Sequence, residues 1–179
     1  MLSHLRVLDL SDERGIVCGW MLAELGADVI GIEPPGGSSL RGRAPFAGGE
    51  PDPERSLHWW AYGRGRRSVC LDLDTREGRE AARALAERTD VLIESDAPGV
   101  LAARGLGYED LAHVNPGLVY VSITPFGQTG PKARWRGTDL TVLASGGPLW
   151  LCGDEDRPPV RVSVPQAFPH AAAEAAAAA

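Results

Sequence analysis

Two side chains able to do acid–base chemistry stand near the end of the chain, in a segment that is otherwise mostly alanine. They are His170 and Glu174, four residues apart, so in a helix both would lie on one face. In that arrangement His170 could act as a general base and Glu174 could orient it. A surface pair at the start of a helix is the alternative reading, and this spacing is more typical of it.

Arginines form two clusters in a long Gly-rich part of the chain. The first contains Arg41 and Arg43, and the second contains Arg64, Arg66 and Arg67. Guanidinium groups bind phosphates through paired hydrogen bonds, so the clusters predict an anion clamp, with a solvated loop as the alternative. The chain as a whole is acidic, with a net charge of −6, and this contrast favours the anion site.

A dinucleotide site is the first ligand site to test wherever a helix follows a buried strand. Glu33 ends the second predicted strand, where an acid could bind a ribose. The first strand, however, is followed by Ser-Asp-Glu-Arg-Gly, which lacks the G-x-G-x-x-G pattern. Asp12 and Glu13 in that turn would repel a pyrophosphate. The sequence therefore disfavours NAD, and a solvated acid at a strand end is the better account of Glu33.

Composition narrows the class of protein. The 179 residues with 44% hydrophobic content suit one globular domain, and the acidic charge argues against nucleic acid as a partner. Three widely spaced cysteines indicate neither a disulfide framework nor a metal site, and no tightly bound cofactor is expected. The sequence has no signal peptide and no apolar run long enough to cross a membrane. We therefore expect a cytoplasmic protein.

The elements that must position these residues alternate between strand and helix patterns. Strands are predicted at 5–10, 28–33, 68–72, 90–94, 118–124 and 160–164. The first helix is predicted to follow a cap formed by residues 11–13. Further helices are predicted at 76–88, 98–103, 108–113 and 138–145, and a last one in the alanine-rich segment that begins near Pro169. Residues 34–66 are predicted to be irregular and functional or mobile. Such alternation predicts an α/β fold with a Rossmann-like, doubly wound parallel sheet.

Several short motifs together resemble the class III CoA-transferases of the CaiB/BaiF type, which include formyl-CoA transferase-like enzymes and α-methylacyl-CoA racemases. One of them is Phe126-Gly-Gln-Thr-Gly-Pro131. The matching segments, in family order, are 6–11, 25–37, 65–73, 90–94, 98–101, 115–120, 126–131 and 158–165. The resemblance implies a Rossmann-like large domain, an acyl-CoA and a carboxylic acid as substrates, and an interlocked homodimer. It also implies that residues 1–179 are the N-terminal part of that domain, ending inside a helix.

The resemblance further implies which residues act on the thioester. In the family an aspartate attacks it, because a carboxylate can be both nucleophile and leaving group. Phe168 occupies that position here, and Thr138 occupies the position of the racemase histidine. Glu174 or His170 would then have to supply the chemistry. The residues that the family pattern places against CoA are Arg14, Arg66, Arg67, Leu71, Ser95, Arg104, Gly127 and Gln128.

These observations favour transfer of CoA between an acyl-CoA and a carboxylic acid by the full-length protein. The alternative is a non-catalytic or regulatory CoA-binding paralogue, motivated by Phe168. A racemase is disfavoured, since both of its characteristic groups are missing.

Overall fold

The protein, described over residues 1–179 by a computed structural model, alternates five strands with seven α-helices. The strands are β1 (Arg6–Asp9), β2 (Asp28–Glu33), β3 (Arg67–Cys70), β4 (Val91–Glu94) and β5 (Val119–Ser122). The helices are α1 (Ile16–Glu24), α2 (Leu57–Tyr62), α3 (Arg76–Ala86), α4 (Val100–Ala103), α5 (Tyr108–Ala112), α6 (Asp139–Gly146) and α7 (Ala167–Ala178). Two 3-10 turns complete the structure, at Ser39–Gly42 and Pro148–Leu151.

The strands form one parallel sheet in the order β3-β2-β1-β4-β5. From the central β1 the chain winds outward through β2 to β3, then returns to add β4 and β5 on the other side. The predicted doubly wound sheet is confirmed. Winding in opposite directions leaves a crevice at the carboxyl ends of β1 and β4, which is where such sheets bind ligands.

Two hydrophobic cores lie on opposite faces of this sheet, because successive side chains of a strand point to opposite faces. Val7 packs with Leu22 of α1 and Ala172 of α7 on one face. Leu8 packs with helices α3, α4 and α5 on the other, and Leu111 of α5 is fully buried there. The alanine-rich segment is thus a packed helix, α7.

The segment 34–66 is more ordered than predicted. It contains the turn Ser39–Gly42 and helix α2, each begun by a serine. Ser38 Oγ accepts a hydrogen bond from Leu40 N at 3.4 Å, and Ser56 Oγ accepts one from Trp59 N at 3.3 Å. Elements this short are too brief for a helical repeat to show in the sequence.

Two local predictions are wrong. Residues 160–164 form no strand, and Val160 is 60% exposed. Their alternating valines suit a strand, but no neighbouring strand is available to pair with them. Helix α1 has no side-chain cap at Gly15, because Ser11 Oγ donates instead to Asp9 Oδ1 and the Asp12 carboxylate binds Arg14.

Candidate functional site

The loops after β1 and β4 meet at the crevice between these strands, and a reciprocal contact joins them. Ser95 Oγ donates to Asp12 Oδ1 at 2.8 Å and accepts from Asp12 N at 2.8 Å. Ser95 is buried. The pair fixes the two loops of the crevice against each other, so groups carried by either loop have defined relative positions.

Arg14 completes this cluster by binding the Asp12 carboxylate with two nitrogens. Nε lies 3.0 Å from Oδ1 and Nη2 lies 2.6 Å from Oδ2. Burial alone would raise the pKa of Asp12, but the hydrogen bonds from Arg14 and Ser95 lower it overall. Asp12 is therefore ionised at neutral pH and is a fixed partner of Arg14.

Two clefts open on either side of Asp12. The first, the β1–β3 cleft, has a volume of about 590 Å³ and lies beyond the ends of β1, β2 and β3. Its apolar surface includes Leu71, and its charged groups are Arg104 and four carboxylates. These carboxylates belong to Asp12, Asp72, Asp74 and Asp96. Arg104 Nη2 lies 2.7 Å from Asp74 Oδ1, and its Nη1 lies 3.6 Å from Asp96 Oδ2.

The second, the α7 cleft, has a volume of about 690 Å³. It is lined by Arg14 and Glu13 from the β1 loop, by Arg43 and His58 from the segment before β3, and by Phe168 from α7. Sequence reasoning missed His58 as a member of the site. No spacing in the sequence indicates it, because a tertiary contact brings His58 there: Ser56 Oγ donates to Arg43 O at 2.7 Å and so fixes the start of α2 beside Arg43.

Asp139 holds the first turn of α7 at the wall of this cleft. Its Oδ1 accepts hydrogen bonds from the backbone N–H groups of Gln166 at 2.8 Å and Ala167 at 2.7 Å, with Phe168 N at 3.5 Å. A carboxylate here also interacts favourably with the positive end of the helix dipole. Asp139 thus fixes the position of the Phe168 backbone.

Each acidic residue that lines the α7 cleft already has a partner. Asp12 binds Arg14, Glu13 Oε2 lies 2.7 Å from Arg43 Nη1, and Asp139 binds the start of α7. Phe168, which is half-buried, occupies the position that the family resemblance assigns to a nucleophilic carboxylate. The cleft therefore offers no unpaired carboxylate from these 179 residues.

His170 and Glu174, the predicted catalytic pair, lie on the exposed side of α7. Neither side chain lines the β1–β3 cleft or the α7 cleft. The structure shows no hydrogen bond between them, although their helical spacing is as expected.

The predicted CoA-binding residues fall into three groups. Four of them lie at the crevice or in the adjoining clefts: Arg14, Leu71, Ser95 and Arg104. Gly127 and Gln128 follow β5, and Gln128 Nε2 donates to Glu94 Oε1 at 3.2 Å. The remaining two are Arg66, which is buried, and Arg67, at the amino end of β3, where Nη2 lies 2.6 Å from Asp28 Oδ2. The structure thus brings six of the eight to the carboxyl-terminal edge of the sheet.

Glu94, at the end of β4, is a buried carboxylate beneath this edge. It accepts hydrogen bonds from Ser122 Oγ and from Asp96 N, the latter at 2.7 Å. Burial raises the pKa of Glu94, while the bond from Ser122 opposes that shift. These bonds tie the loop after β4 to β5.

None of the seven α-helices of this chain combines the length and the apolar character that crossing a bilayer requires. No three or more His, Cys, Asp or Glu side chains are grouped so that they could hold a metal ion.

The fold and the edge clefts define an α/β protein with a crevice at the topological switch point of its sheet. Comparison with known proteins gives the family. The model of CoA-transferase family III matches residues 2–179. The chain therefore belongs to CoA-transferase family III.

Curated relatives agree with this assignment. The chain is 44% identical over 174 residues to the succinyl-CoA:(R)-benzylsuccinate CoA-transferase subunit BbsE of Thauera aromatica, covering 97% of this chain and 42% of that protein. It is 38% identical over 167 residues to the succinyl-CoA–D-citramalate CoA-transferase of Chloroflexus aurantiacus, covering 91% and 40%. The chain thus spans less than half the length of these relatives.

Solved structures show the same relationship. A CaiB/BaiF family protein from Brucella suis superposes with a TM-score of 0.88 and 38% sequence identity, over 97% of this chain and 46% of that one. Rv3272 from Mycobacterium tuberculosis superposes with a TM-score of 0.85 and 32% identity, over 99% and 49%.

Proposed function

We propose that the complete protein transfers CoA between an acyl-CoA thioester and a carboxylic acid. The observation that carries this proposal is the family match over residues 2–179. Two clefts that meet at Asp12 support it, because a site for a CoA thioester needs space for the CoA portion and for the acyl group.

The acyl groups that we propose are those of dicarboxylic acids. Support comes from the relatives, whose names combine succinyl-CoA with benzylsuccinate or D-citramalate. Arg43 and His58 in the α7 cleft are side chains that could bind a second carboxylate. Arg43 is bound to Glu13 in an exposed ion pair, and such pairs are weak enough for a ligand to displace.

For CoA itself we propose contacts from the six predicted residues at the sheet edge: Arg14, Leu71, Ser95, Arg104, Gly127 and Gln128. Arg66 would act indirectly, since it lies in the core and holds Asp9 at the end of β1. Arg67 would need to leave Asp28 and reach a different edge, so its position gives a direct contact no support.

The residue that acts as the nucleophile has to be proposed separately, because Phe168 replaces the family carboxylate. Transfer through an acyl-enzyme needs a carboxylate that attacks the thioester carbon and releases the CoA thiolate. Phe168 cannot do this, so we propose that Glu174, assisted by His170, or a carboxylate outside these 179 residues supplies it. The word "subunit" in the name of one relative supports a source on a second chain.

Mass spectrometry of the complete protein with succinyl-CoA and a panel of carboxylic acids tests the proposal. A new CoA thioester supports transfer, and a trapped adduct would locate the carboxylate. Glu174→Gln should abolish transfer if Glu174 is the nucleophile, whereas Glu109→Gln, at an exposed position on α5, should not. Succinyl-CoA left intact with every acid would contradict transfer.

A non-catalytic CoA-binding paralogue is the second candidate, and Phe168 is the observation that favours it. Phe168→Asp places a carboxylate in the α7 cleft, and Phe168→Asn is its matched control without a nucleophile. A protein that binds CoA, transfers none, and gains transfer with the aspartate but not the asparagine would establish this second candidate.

We further propose a cytoplasmic protein that acts as an interlocked homodimer. Three free cysteines suit a reducing compartment. Apolar side chains such as Trp150 and Leu151 are exposed in this chain. Such exposure supports an assembly in which a second copy, or another part of the protein, covers them.

A further inference from the structure

One ion pair in the α7 cleft is held together by a single hydrogen bond. Arg43 Nη1 donates to Glu13 Oε2 at 2.7 Å, and neither side chain makes another hydrogen bond within the chain. Both side chains are exposed, Glu13 to 49% and Arg43 to 37%. Because exposed pairs of this kind are weak, either side chain can turn away from the other at little cost.

The second guanidinium of the cleft, that of Arg14, already has firm partners. Its Nε lies 3.0 Å from both oxygens of Asp12, and its Nη2 lies 2.6 Å from Oδ2. Ser95 Oγ donates a further hydrogen bond to the same carboxylate. Arg43, in contrast, leaves Nε and Nη2 without a partner. Arg43 is therefore the guanidinium in this cleft that can bind an entering carboxylate through two parallel hydrogen bonds.

The backbone on each side of the Glu13–Arg43 pair is fixed, although the two side chains are not. Ser56 Oγ donates to Arg43 O at 2.7 Å. On the other side, Asp12 N, directly before Glu13, donates to Ser95 Oγ at 2.8 Å. Opening the pair thus requires rotation of side chains alone, and Arg43 remains part of the cleft wall when it opens.

Glu13 places a carboxylate of the protein where a carboxylate of the substrate could bind. An acyl group that ends in a carboxylate can replace Glu13 on Arg43, whereas an acyl group that ends in a methyl group offers the guanidinium no hydrogen bond. The carbon chain of either group can pack on the apolar lining, which includes Ile16, Val17 and Phe168. Since Glu13 is half exposed, water can solvate its carboxylate after displacement.

We propose that Glu13 is a specificity-determining residue of the α7 cleft: its carboxylate occupies Arg43 until an acyl group with a second carboxylate displaces it. The proposal rests on the proposed function, because it takes a CoA thioester to be the ligand of the site. Acyl groups without a second carboxylate bind while the pair stays closed. Acyl groups with one gain the contact to Arg43, reduced by the cost of releasing Glu13.

Binding of succinyl-CoA and butyryl-CoA to the complete protein tests the proposal, since these thioesters differ only in a terminal carboxylate or methyl group. The readout is the ratio of the two dissociation constants, in which any effect on the CoA portion cancels. Glu13→Gln should shift this ratio about fivefold in favour of succinyl-CoA, the upper range for removing an exposed ion pair. Arg43→Gln should shift it about tenfold against succinyl-CoA, the effect of losing one charge-assisted contact.

The double variant Glu13→Gln/Arg43→Gln separates displacement from a general change in charge. The gain from Glu13→Gln should vanish in it, because no guanidinium remains for the succinyl carboxylate. Glu24→Gln is the matched control, since Glu24 is 47% exposed and forms a similar ion pair with Arg64 outside both clefts. Its ratio should equal that of the wild type.

The outcomes distinguish this inference from the proposed function. A ratio for Glu13→Gln equal to that for Glu24→Gln, or a gain that persists without Arg43, would overturn the inference alone. A wild type that binds neither thioester would overturn the proposed function as well. Selective binding of succinyl-CoA that depends on Glu13 and Arg43, without transfer of CoA to any acid, would overturn only the proposed function.

Discussion

Arg66 joins three separate segments of the chain in the core. Its Nη1 lies 2.7 Å from Asp9 Oδ2, and its Nη2 donates to Ile16 O at 3.0 Å and to Tyr62 O at 3.1 Å. The Asp9 side chain is fully buried and that of Arg66 is 3% exposed. Such a pair is costly to break from one side, because the remaining charge stays buried without a partner.

Replacing Arg66 with Gln should therefore destabilise the complete protein by about 3–5 kcal/mol, measured by chemical denaturation. Arg67→Gln is the control, since the Arg67–Asp28 pair is exposed and such pairs contribute at most about 1 kcal/mol. Equal losses in the two variants would show that the buried pair has no special role.

Glu33 is the acid for which sequence reasoning favoured a solvated strand end, and the structure places it in a network. Its carboxylate accepts hydrogen bonds from Arg41 Nε at 2.6 Å, from Ser38 N at 2.8 Å and from Ser68 Oγ. Hydrogen bonding from Arg41 is the main cause that lowers the pKa of Glu33 to about 2. Glu33 thus ties the segment after β2 to the sheet.

This shift predicts a pH dependence of stability. The folded-state pKa lies below the ordinary value of 4.5, so the charged carboxylate stabilises the fold above that pH, and the stabilisation disappears as the pH falls from 4.5 towards 2. Glu33→Gln should be less stable than the wild type at pH 7, and the difference should shrink on acidification. Thermal unfolding of both proteins between pH 7 and pH 3 measures it, and a difference independent of pH would contradict the assignment.

At the level of elements, the packing of α7 against α6 depends on Asp139. Asp139→Ala should destabilise the complete protein by about 0.5–2 kcal/mol, the usual effect of removing a helix cap. Asp139→Asn should cost less, because an amide oxygen can accept the same hydrogen bonds without the charge. The denaturant midpoints of the wild type, Asp139→Asn and Asp139→Ala check this order. An alanine variant as stable as the wild type would show that the cap is dispensable.

Strand and helix positions followed well from the sequence where apolar residues repeat. Val91, Leu92 and Ile93 predict a central strand because buried parallel strands are apolar on both faces. The valines at 160, 162 and 164 alternate in a way that is equally typical of a strand, but the structure provides no adjacent strand for them to pair with. The local sequence does not report whether such a neighbour exists. Helix α2 escaped prediction because its six residues complete fewer than two turns.

The crevice was predictable from the ends of strands, and the family resemblance, rather than any spacing, named Ser95 as one of its residues. Ser95 follows β4 directly, and the structure places it in the crevice. His58 and Asp139 join the α7 cleft through tertiary contacts between distant segments, and no spacing rule reports these. The burial of Arg66 was not predictable for the same reason: its place in a cluster of arginines is equally compatible with an exposed side chain, and its ion pair with Asp9 joins distant segments.

On the scale of the whole molecule, apolar surface is concentrated in the segment around the second 3-10 turn. Trp150 is 81% exposed and Leu151 is 84% exposed, and Val160 nearby in the sequence is 60% exposed. A polypeptide of residues 1–179 alone should therefore self-associate. Sedimentation velocity of that polypeptide checks this, with Trp150→Ser/Leu151→Ser as the variant expected to associate less. A wild-type polypeptide that remains monomeric would contradict the prediction.

The central position of β1 also has a consequence during synthesis. One of its neighbours, β2, follows closely along the chain, but the contact between Arg6 and Asp90 beside the other neighbour, β4, joins residues 84 positions apart. At a translation rate of about 5–20 residues per second, that distance corresponds to a delay of about 4–17 s on the ribosome. For those seconds the strand that becomes the middle of the sheet is an open edge of the nascent chain, and its apolar residues depend on whatever shields emerging polypeptides.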